Sequence, residues 1–274
     1  MNNFWQRTLT GAIFAVVMIG MTWLHAISFF ILLMAIVLLG TFELARMINI
    51  PPVKAQRIPS YLLSALTIIA GFGITFYHLP KVMMLALVPV AVGVLLYELY
   101  RNSERPFWNI AVTLFIPLYV AVPFLFLMMI AFMDGDYNPA IVLSFIGMIW
   151  TSDTGAYLSG VTMGKHKFFP RISPKKSWEG FIGGVVLTLL LGWGLAVYLQ
   201  MPLALMLGMA LIISVLGAMS DLVESMLKRS VGAKDSGTLL PGHGGILDRF
   251  DAFVLTAPMV YFYFELYNYL IIIF

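Results

Sequence analysis

Four residues near the carboxyl end, Asp221, Glu224, Ser225 and Lys228, follow the spacing i, i+3, i+4, i+7. A helix through them carries two carboxylates, a hydroxyl and an ammonium on one face. Asp248 and Asp251 repeat the i, i+3 step. Carboxylates presented from two helix ends can hold a hard cation, and Mg2+ favours one or two carboxylates completed by water and substrate phosphate. Asp221 and Asp248, with Asp251, are the candidate metal ligands. Each taken singly also reads as an interfacial carboxylate paired with a nearby Lys or Arg. Between them runs SMLKRSVGAKDSGTLLPGHGGILDRFD, from Ser225 to Asp251. Its glycines, Gly232, Gly237, Gly242, Gly244 and Gly245, allow positive φ and close approach, so backbone amides can point at phosphate oxygens. Lys228, Arg229, Lys234 and Arg249 supply the countercharge a polyphosphate needs, with arginine able to grip two oxygens at once. His243 can donate a hydrogen bond or titrate; it also reads as a loop histidine without a role.

A second basic cluster, GKHKFFPRISPKKSWEG, runs from Gly164 to Gly180. Lys175, Lys176 and Ser177 stand at the start of an apolar stretch, where a helix amino end beside two lysines suits an anion. The alternative is an anchor that grips anionic lipid headgroups. The run SDTGAY adds Asp153 inside or at the end of another apolar stretch. Carboxylates inside a membrane cost about 2.5 to 3.5 kcal/mol at helix centre and less near the interface. Several gathered in one bundle need cations.

The elements that must position these groups are membrane helices. Of 274 residues, 61% are hydrophobic and only 11% charged, where a soluble domain carries about 25% charged residues. Nine apolar stretches approach the roughly 20 residues that cross a hydrocarbon core. They run from about Leu9 to Leu24, Ala26 to Phe42, Tyr61 to Tyr77, Val82 to Tyr97, Phe107 to Met133, Pro139 to Tyr157, Gly180 to Leu199, Leu203 to Met219 and Ala252 to Phe274. The first two are nearly continuous across His25 and also read as one tilted helix. The fold class expected is an all-α polytopic membrane protein with about nine transmembrane helices. It reads as a single integral membrane domain, 1–274, with amino-terminal helices in 1–138 and the chemistry in 139–274.

With nine spans, every Lys and Arg except Lys81 falls on one side. The positive-inside rule then puts the amino terminus in the cytoplasm and the carboxyl terminus outside. The two longest polar loops, and the chemistry, fall on the cytoplasmic side. The charges of the first half read as ordinary loop residues and interface anchors. With no cysteine, disulfides, thiolate metal sites and a cysteine nucleophile are excluded. A net charge of +3 is too small to imply nucleic acid.

The stretch from Ser225 to Asp251 resembles throughout the signature of phosphatidate cytidylyltransferases, the CDP-diacylglycerol synthases: S-x-L-K-R, then K-D-x-G, then L-P-x-H-G-G-I-x-D-R-F-D. The SDTGAY run at Ser152 to Tyr157 and the SPKKSWEG run at Ser173 to Gly180 are similar to that family as well. The resemblance implies that CTP and phosphatidic acid become CDP-diacylglycerol and pyrophosphate in phospholipid biosynthesis. It also implies Mg2+, a monovalent cation such as K+, a homodimer, and a bacterial inner-membrane location. Combined with the residues, it gives catalytic roles to Asp221, Lys228, Arg229, Asp248 and Asp251. Substrate contacts fall to Lys175, Lys176, Ser177, Ser225, Lys234, His243, Gly244, Gly245 and Arg249. Phosphatidate is already an anion, so Asp251 is not needed as a general base.

Two other classes share some of these features. A transporter would have midplane charges and broken helices in both halves, and the first half shows no such breaks. A CTP-dependent lipid kinase would use the same nucleotide but release CDP. A CDP-alcohol phosphotransferase would need a D-G-x-x-A-R block, which this sequence lacks.

Overall fold

The computed structural model describes residues 3–237, 239 and 244–273. His243, with Gly242, lies outside them. Within the described residues, each of the nine apolar stretches forms a helix. They are α1 (Asn3–Leu24), α2 (Ala26–Ile48), α3 (Arg57–Phe76), α4 (Leu87–Arg101, led in by a 3-10 turn at Lys81–Ala86), α5 (Pro106–Ala131), α6 (Pro139–Met163), α7 (Trp178–Leu199), α8 (Leu203–Ser230) and α10 (Phe253–Ile273), with a short α9 (Leu247–Phe250) before the last. Among the described residues, seven helices are long and apolar enough to cross a membrane. In α1 the apolar part is the shorter Thr8–Leu24. In α10 the four tyrosines, Glu265 and Asn268 dilute the apolar run.

His25 separates the first two helices. Its Nδ1 accepts the Ile27 amide at 3.1 Å while the Ser28 hydroxyl accepts the His25 amide at 3.1 Å. That reciprocal cap starts α2 afresh.

Among the described residues, those within 1–139 and 228–250 form one compact unit, and those within 140–227 and 251–274 form another. In the first, α2, α3 and α5 pack on one another around Phe29, Leu33, Leu44, Ile68, Ile116, Leu127 and Met128, all buried. Helix α5 runs through Pro117 and Pro123. Pro117 has no N–H for the carbonyl of Thr113 four residues back. The Ser60 hydroxyl of α3 donates to that carbonyl at 3.1 Å, so a neighbouring helix satisfies what proline releases.

The first half holds buried acids, which corrects the reading of its charges as loop residues and anchors. Glu43 and Glu98 are 2% and 3% exposed. Glu98, at the end of α4, accepts from the Gln56 amide at 2.8 Å, the Asn109 amide at 2.6 Å and the Ser103 hydroxyl. Its carboxylate ties the chain before α3 to α4 and α5. Sequence periodicity missed it because its partners are 42 and 11 residues away.

In the second unit α7 buries Gly180, Gly184, Thr188, Gly192 and Ala196, one residue every four. Small residues at that spacing let backbones approach closely in lipid. A Cβ on Gly184 would stand 2.8 Å from the Ser152 carbonyl, and one on Gly180 would stand 2.7 Å from the Ala156 carbonyl. Helix α6 is thereby drawn against α7 along the SDTGAY run.

Between α6 and α7 lies a small element that an all-α reading did not anticipate, the antiparallel hairpin of β1 (Lys167–Phe169) and β2 (Ser173–Ser177). Phe168 stacks on Phe181 at 5.0 Å and meets the edge of Trp178 at 4.6 Å. Glu179 accepts the Lys165 amide at 3.1 Å and the His166 amide at 3.2 Å. The Ser177 hydroxyl caps α7 by accepting the Gly180 amide at 3.2 Å. The hairpin is thus fastened at the amino end of α7, with Lys175 and Lys176 on its second strand.

Candidate functional site

Helix α8 continues to Ser230, more than two turns past the apolar stretch that ends near Met219. Asp221, Glu224, Ser225 and Lys228 therefore share the helical face that their spacing implied.

In the second unit, the charges of three carboxylates bear on a fourth, Asp251. Asp221 and Glu224 come from α8, Asp153 from α6, and Asp251 from the turn before α10. Asp251 is held by Ser220, whose hydroxyl donates to the Asp251 carbonyl and accepts the Leu255 amide at 3.3 Å. Burial pushes the Asp251 carboxyl well above the ordinary carboxylate range, and the charges of Asp221, Glu224 and Asp153 push it further. The Ala252 amide, 2.7 Å from Asp251 Oδ1, acts in the opposite direction.

Asp221 takes a cation from the hairpin. Lys176 Nζ lies 2.5 Å from Asp221 Oδ2 and donates to the Ala218 carbonyl at 3.2 Å. Ser225 Oγ donates to Asp221 Oδ1 at 3.3 Å. Lys176, Asp221 and Ser225 are thus brought together, while Lys175 is exposed on the same strand.

In the first unit the signature folds around Asp248. Lys228 Nζ stands 2.6 Å from Asp248 Oδ1, with both side chains 10% exposed. Asp248 Oδ2 accepts the amides of Gly245 at 2.9 Å and Ser236 at 3.1 Å. Burial alone raises the Asp248 carboxyl, but the Lys228 ammonium and the two amides outweigh it and hold the group below its ordinary range. The chain leaves α8 through Gly232 at φ +72° and enters α9 through Gly244 at φ +84°, two positions where only glycine is unstrained. Arg229 donates to the Ala233 carbonyl at 3.3 Å. Arg229, Lys234 and Arg249 are all exposed.

Glu43 was not singled out in the sequence. Its Oε2 accepts the Ser236 hydroxyl at 3.1 Å and the Leu247 amide at 3.0 Å. These partners lie 193 and 204 residues away, beyond the reach of any spacing argument. The available signal was a lone carboxylate in an otherwise apolar helix, which by default marks a functional position.

Chemically, the first unit offers a buried, charge-neutralised carboxylate inside a glycine-rich loop bearing exposed cations, an arrangement suited to phosphates. The second offers carboxylates whose charges bear on Asp251, with Lys176 paired to Asp221. Among the described residues, no three His, Asp or Glu side chains form a ready-made metal-ligand group.

Residues 5–267 match the model of the cytidylyltransferase family. A phosphatidate cytidylyltransferase of Bacillus subtilis (strain 168) is 34% identical over 266 residues, covering 96% of this chain and 98% of its own length. One from Staphylococcus aureus (strain COL) is 35% identical, covering 81% of this chain and 85% of its own. Another, from Staphylococcus saprophyticus, is 34% identical over 93% of this chain and 96% of its own. Similarity therefore extends into the amino-terminal helices that carry Glu43, as well as the signature that organises Lys228 and Asp248. The chain belongs to the cytidylyltransferase family.

Proposed function

We infer that this membrane enzyme transfers the cytidylyl group of CTP to phosphatidic acid, giving CDP-diacylglycerol and pyrophosphate. The observation that carries the reading is the full-length similarity to phosphatidate cytidylyltransferases, joined to the Lys228–Asp248 pair that closes the Ser225–Asp251 stretch. A lipid phosphate oxygen attacks the α-phosphorus of CTP in line. The new O–Pα bond forms as the bond from Pα to the bridging oxygen breaks, and pyrophosphate leaves with that electron pair. Because the attacking phosphate is already ionised, no proton must be removed. Positioning and charge neutralisation supply the catalysis.

In this reading Lys228 and Arg229 hold substrate phosphates, and Lys234, Arg249 and His243 complete the cationic shell. Gly244 and Gly245 keep the loop backbone close. Lys175, Lys176 and Ser177 form the anion-facing edge of the hairpin, and Ser225 steadies Asp221. The donors fit a hard cation. They are all oxygen, no thiolate competes, and the negative charge bearing on buried Asp251 is of the sort a divalent ion offsets. Asp221 and Asp251 are proposed Mg2+ ligands within the second unit, and the signature alone proposes Asp248 as a ligand within the first. Mg2+ bound there supplies charge neutralisation on the CTP phosphates and the leaving pyrophosphate.

The acceptor tests this reading against a kinase. Phosphatidic acid is expected to take up the cytidylyl group while diacylglycerol remains unchanged; CTP-dependent phosphorylation of diacylglycerol would overturn it.

The bacterial inner membrane, with the site facing the cytoplasm, is proposed from the distribution of Lys and Arg. The chain has no cysteine, and Arg171 is exposed in the hairpin. Arg171→Cys is therefore expected to react with an impermeant maleimide in inverted vesicles and not in intact cells. The reverse pattern would invert the topology.

A further inference from the structure

We propose that Glu43 is a positioning residue for nucleotide transfer, a membrane-helix carboxylate that fixes the geometry of the signature loop without touching substrate. The inference rests on the cytidylyl-transfer reading for its kinetic consequence, and on geometry for the rest.

Glu43 sits in α2, 2% exposed. An acid at such a position is ordinarily satisfied by a nearby cation. Three residues on, Arg46 is exposed and lines a cavity of about 180 Å³ with Phe42, Ala45, Arg57 and Tyr61. Glu43 is engaged instead by the loop, through the Ser236 hydroxyl and the Leu247 amide. Both donors adjoin Asp248. Leu247 is its chain neighbour, and the Ser236 amide donates to Asp248 at 3.1 Å. Ser236 is therefore held from two sides, its hydroxyl by Glu43 and its amide by Asp248. Removing Glu43 frees one side of the clamp that orients Asp248 toward Lys228.

The loop is also shaped to receive this carboxylate. Gly232 and Gly244 have positive φ, which explains them as glycines. Gly237 and Gly245 do not, and need a different explanation. A Cβ on Gly237 would stand 2.5 Å from Glu43 Oε1, while one on Gly245 would meet the Ser236 hydroxyl first and then Glu43 Oε2 at 2.5 Å, the two ends of one hydrogen bond. Gly237 leaves room for the Glu43 carboxylate and Gly245 for the Ser236–Glu43 hydrogen bond, and a side chain at either would crowd that contact.

The test uses full-length Glu43→Ala and Glu43→Gln proteins in detergent, with two readouts: steady-state kinetics, and hydrogen–deuterium exchange of peptides covering residues 231–250. Glu43→Ala is expected to lower kcat by about 10²-fold, the scale of a small misplacement of reacting groups, with little change in KM for phosphatidic acid. Exchange is expected to rise in the loop and not elsewhere. Glu43→Gln keeps a carbonyl that accepts from Leu247 and Ser236, and is expected to recover most of both. Wild-type kcat and loop exchange in Glu43→Ala would overturn the proposal. So would a loss of kcat with unchanged loop exchange, or a rise in exchange throughout the protein. If Glu43→Ala does not fold, Ser236→Ala removes one of the two donors, and is expected to give a smaller, loop-confined change in both readouts; no change in either overturns the proposal. Should the wild type make no CDP-diacylglycerol, the assigned reaction fails, whereas the exchange data still decide the role of Glu43.

Discussion

Asp221→Asn protein, purified at wild-type yield, is expected to show no turnover above background with CTP, Mg2+ and phosphatidic acid. Asp221 pairs with Lys176, and the two side chains are 37% and 28% exposed. A pair that open contributes at most about 1 kcal/mol to stability. Unfolding therefore cannot account for a complete loss. The expected loss is at least about 10³-fold, the several kcal/mol of transition-state stabilisation that a metal-held oxygen provides. Lys176→Met separates the two roles of the carboxylate. If Asp221 served only as a partner for Lys176, both variants would lose activity equally. As a proposed Mg2+ ligand, Asp221 is expected to matter far more. Near-wild-type turnover of Asp221→Asn would remove it from the metal site.

Lys228→Met is expected to lower both activity and stability. Its ammonium and the Asp248 carboxylate are each 10% exposed, and stranding one member of a buried pair costs about 3 to 5 kcal/mol. Turnover is expected to fall by about 10² to 10³-fold, the typical effect of one charge-stabilising group. Lys228→Met combined with Asp248→Asn leaves no stranded charge. The double variant is expected to regain much of the lost thermal stability and none of the activity. Recovery of both would make the pair purely structural.

The pH dependence has a definite sign. Asp248 is depressed below its ordinary range in the folded protein, so its contribution to stability is fully present above the unfolded pKa of about 3.9. That contribution is lost as pH falls through the lower folded value. The double variant is expected to lack this acid-side loss, which thermal melts between neutral and acid pH would show.

Local chemistry made much of the site legible. The i, i+3, i+4, i+7 spacing placed Asp221, Glu224, Ser225 and Lys228 on one face because α8 continues past its apolar part as a regular helix. The positive-φ glycines Gly232 and Gly244 belong to turns whose geometry is encoded in the residues themselves. The nine apolar stretches became helices because backbone groups in lipid must be satisfied within the segment. Long-range choices were not legible. Glu43 and Glu98 look alike in sequence, single acids near the ends of apolar helices with an arginine three residues later. Only packing reveals that one holds the signature loop and the other a structural corner. The hairpin was missed because its two strands are three and five residues long, too short for period-two alternation to register against a basic loop.

The most direct test of the reaction is a label comparison on the purified protein, supplied with phosphatidic acid, Mg2+ and CTP carrying ³²P at either the α or the γ position. Cytidylyl transfer requires α-label in the lipid phase and γ-label in released pyrophosphate. Label from the γ position in lipid, or CDP as the nucleotide product, would contradict cytidylyl transfer and identify a kinase instead.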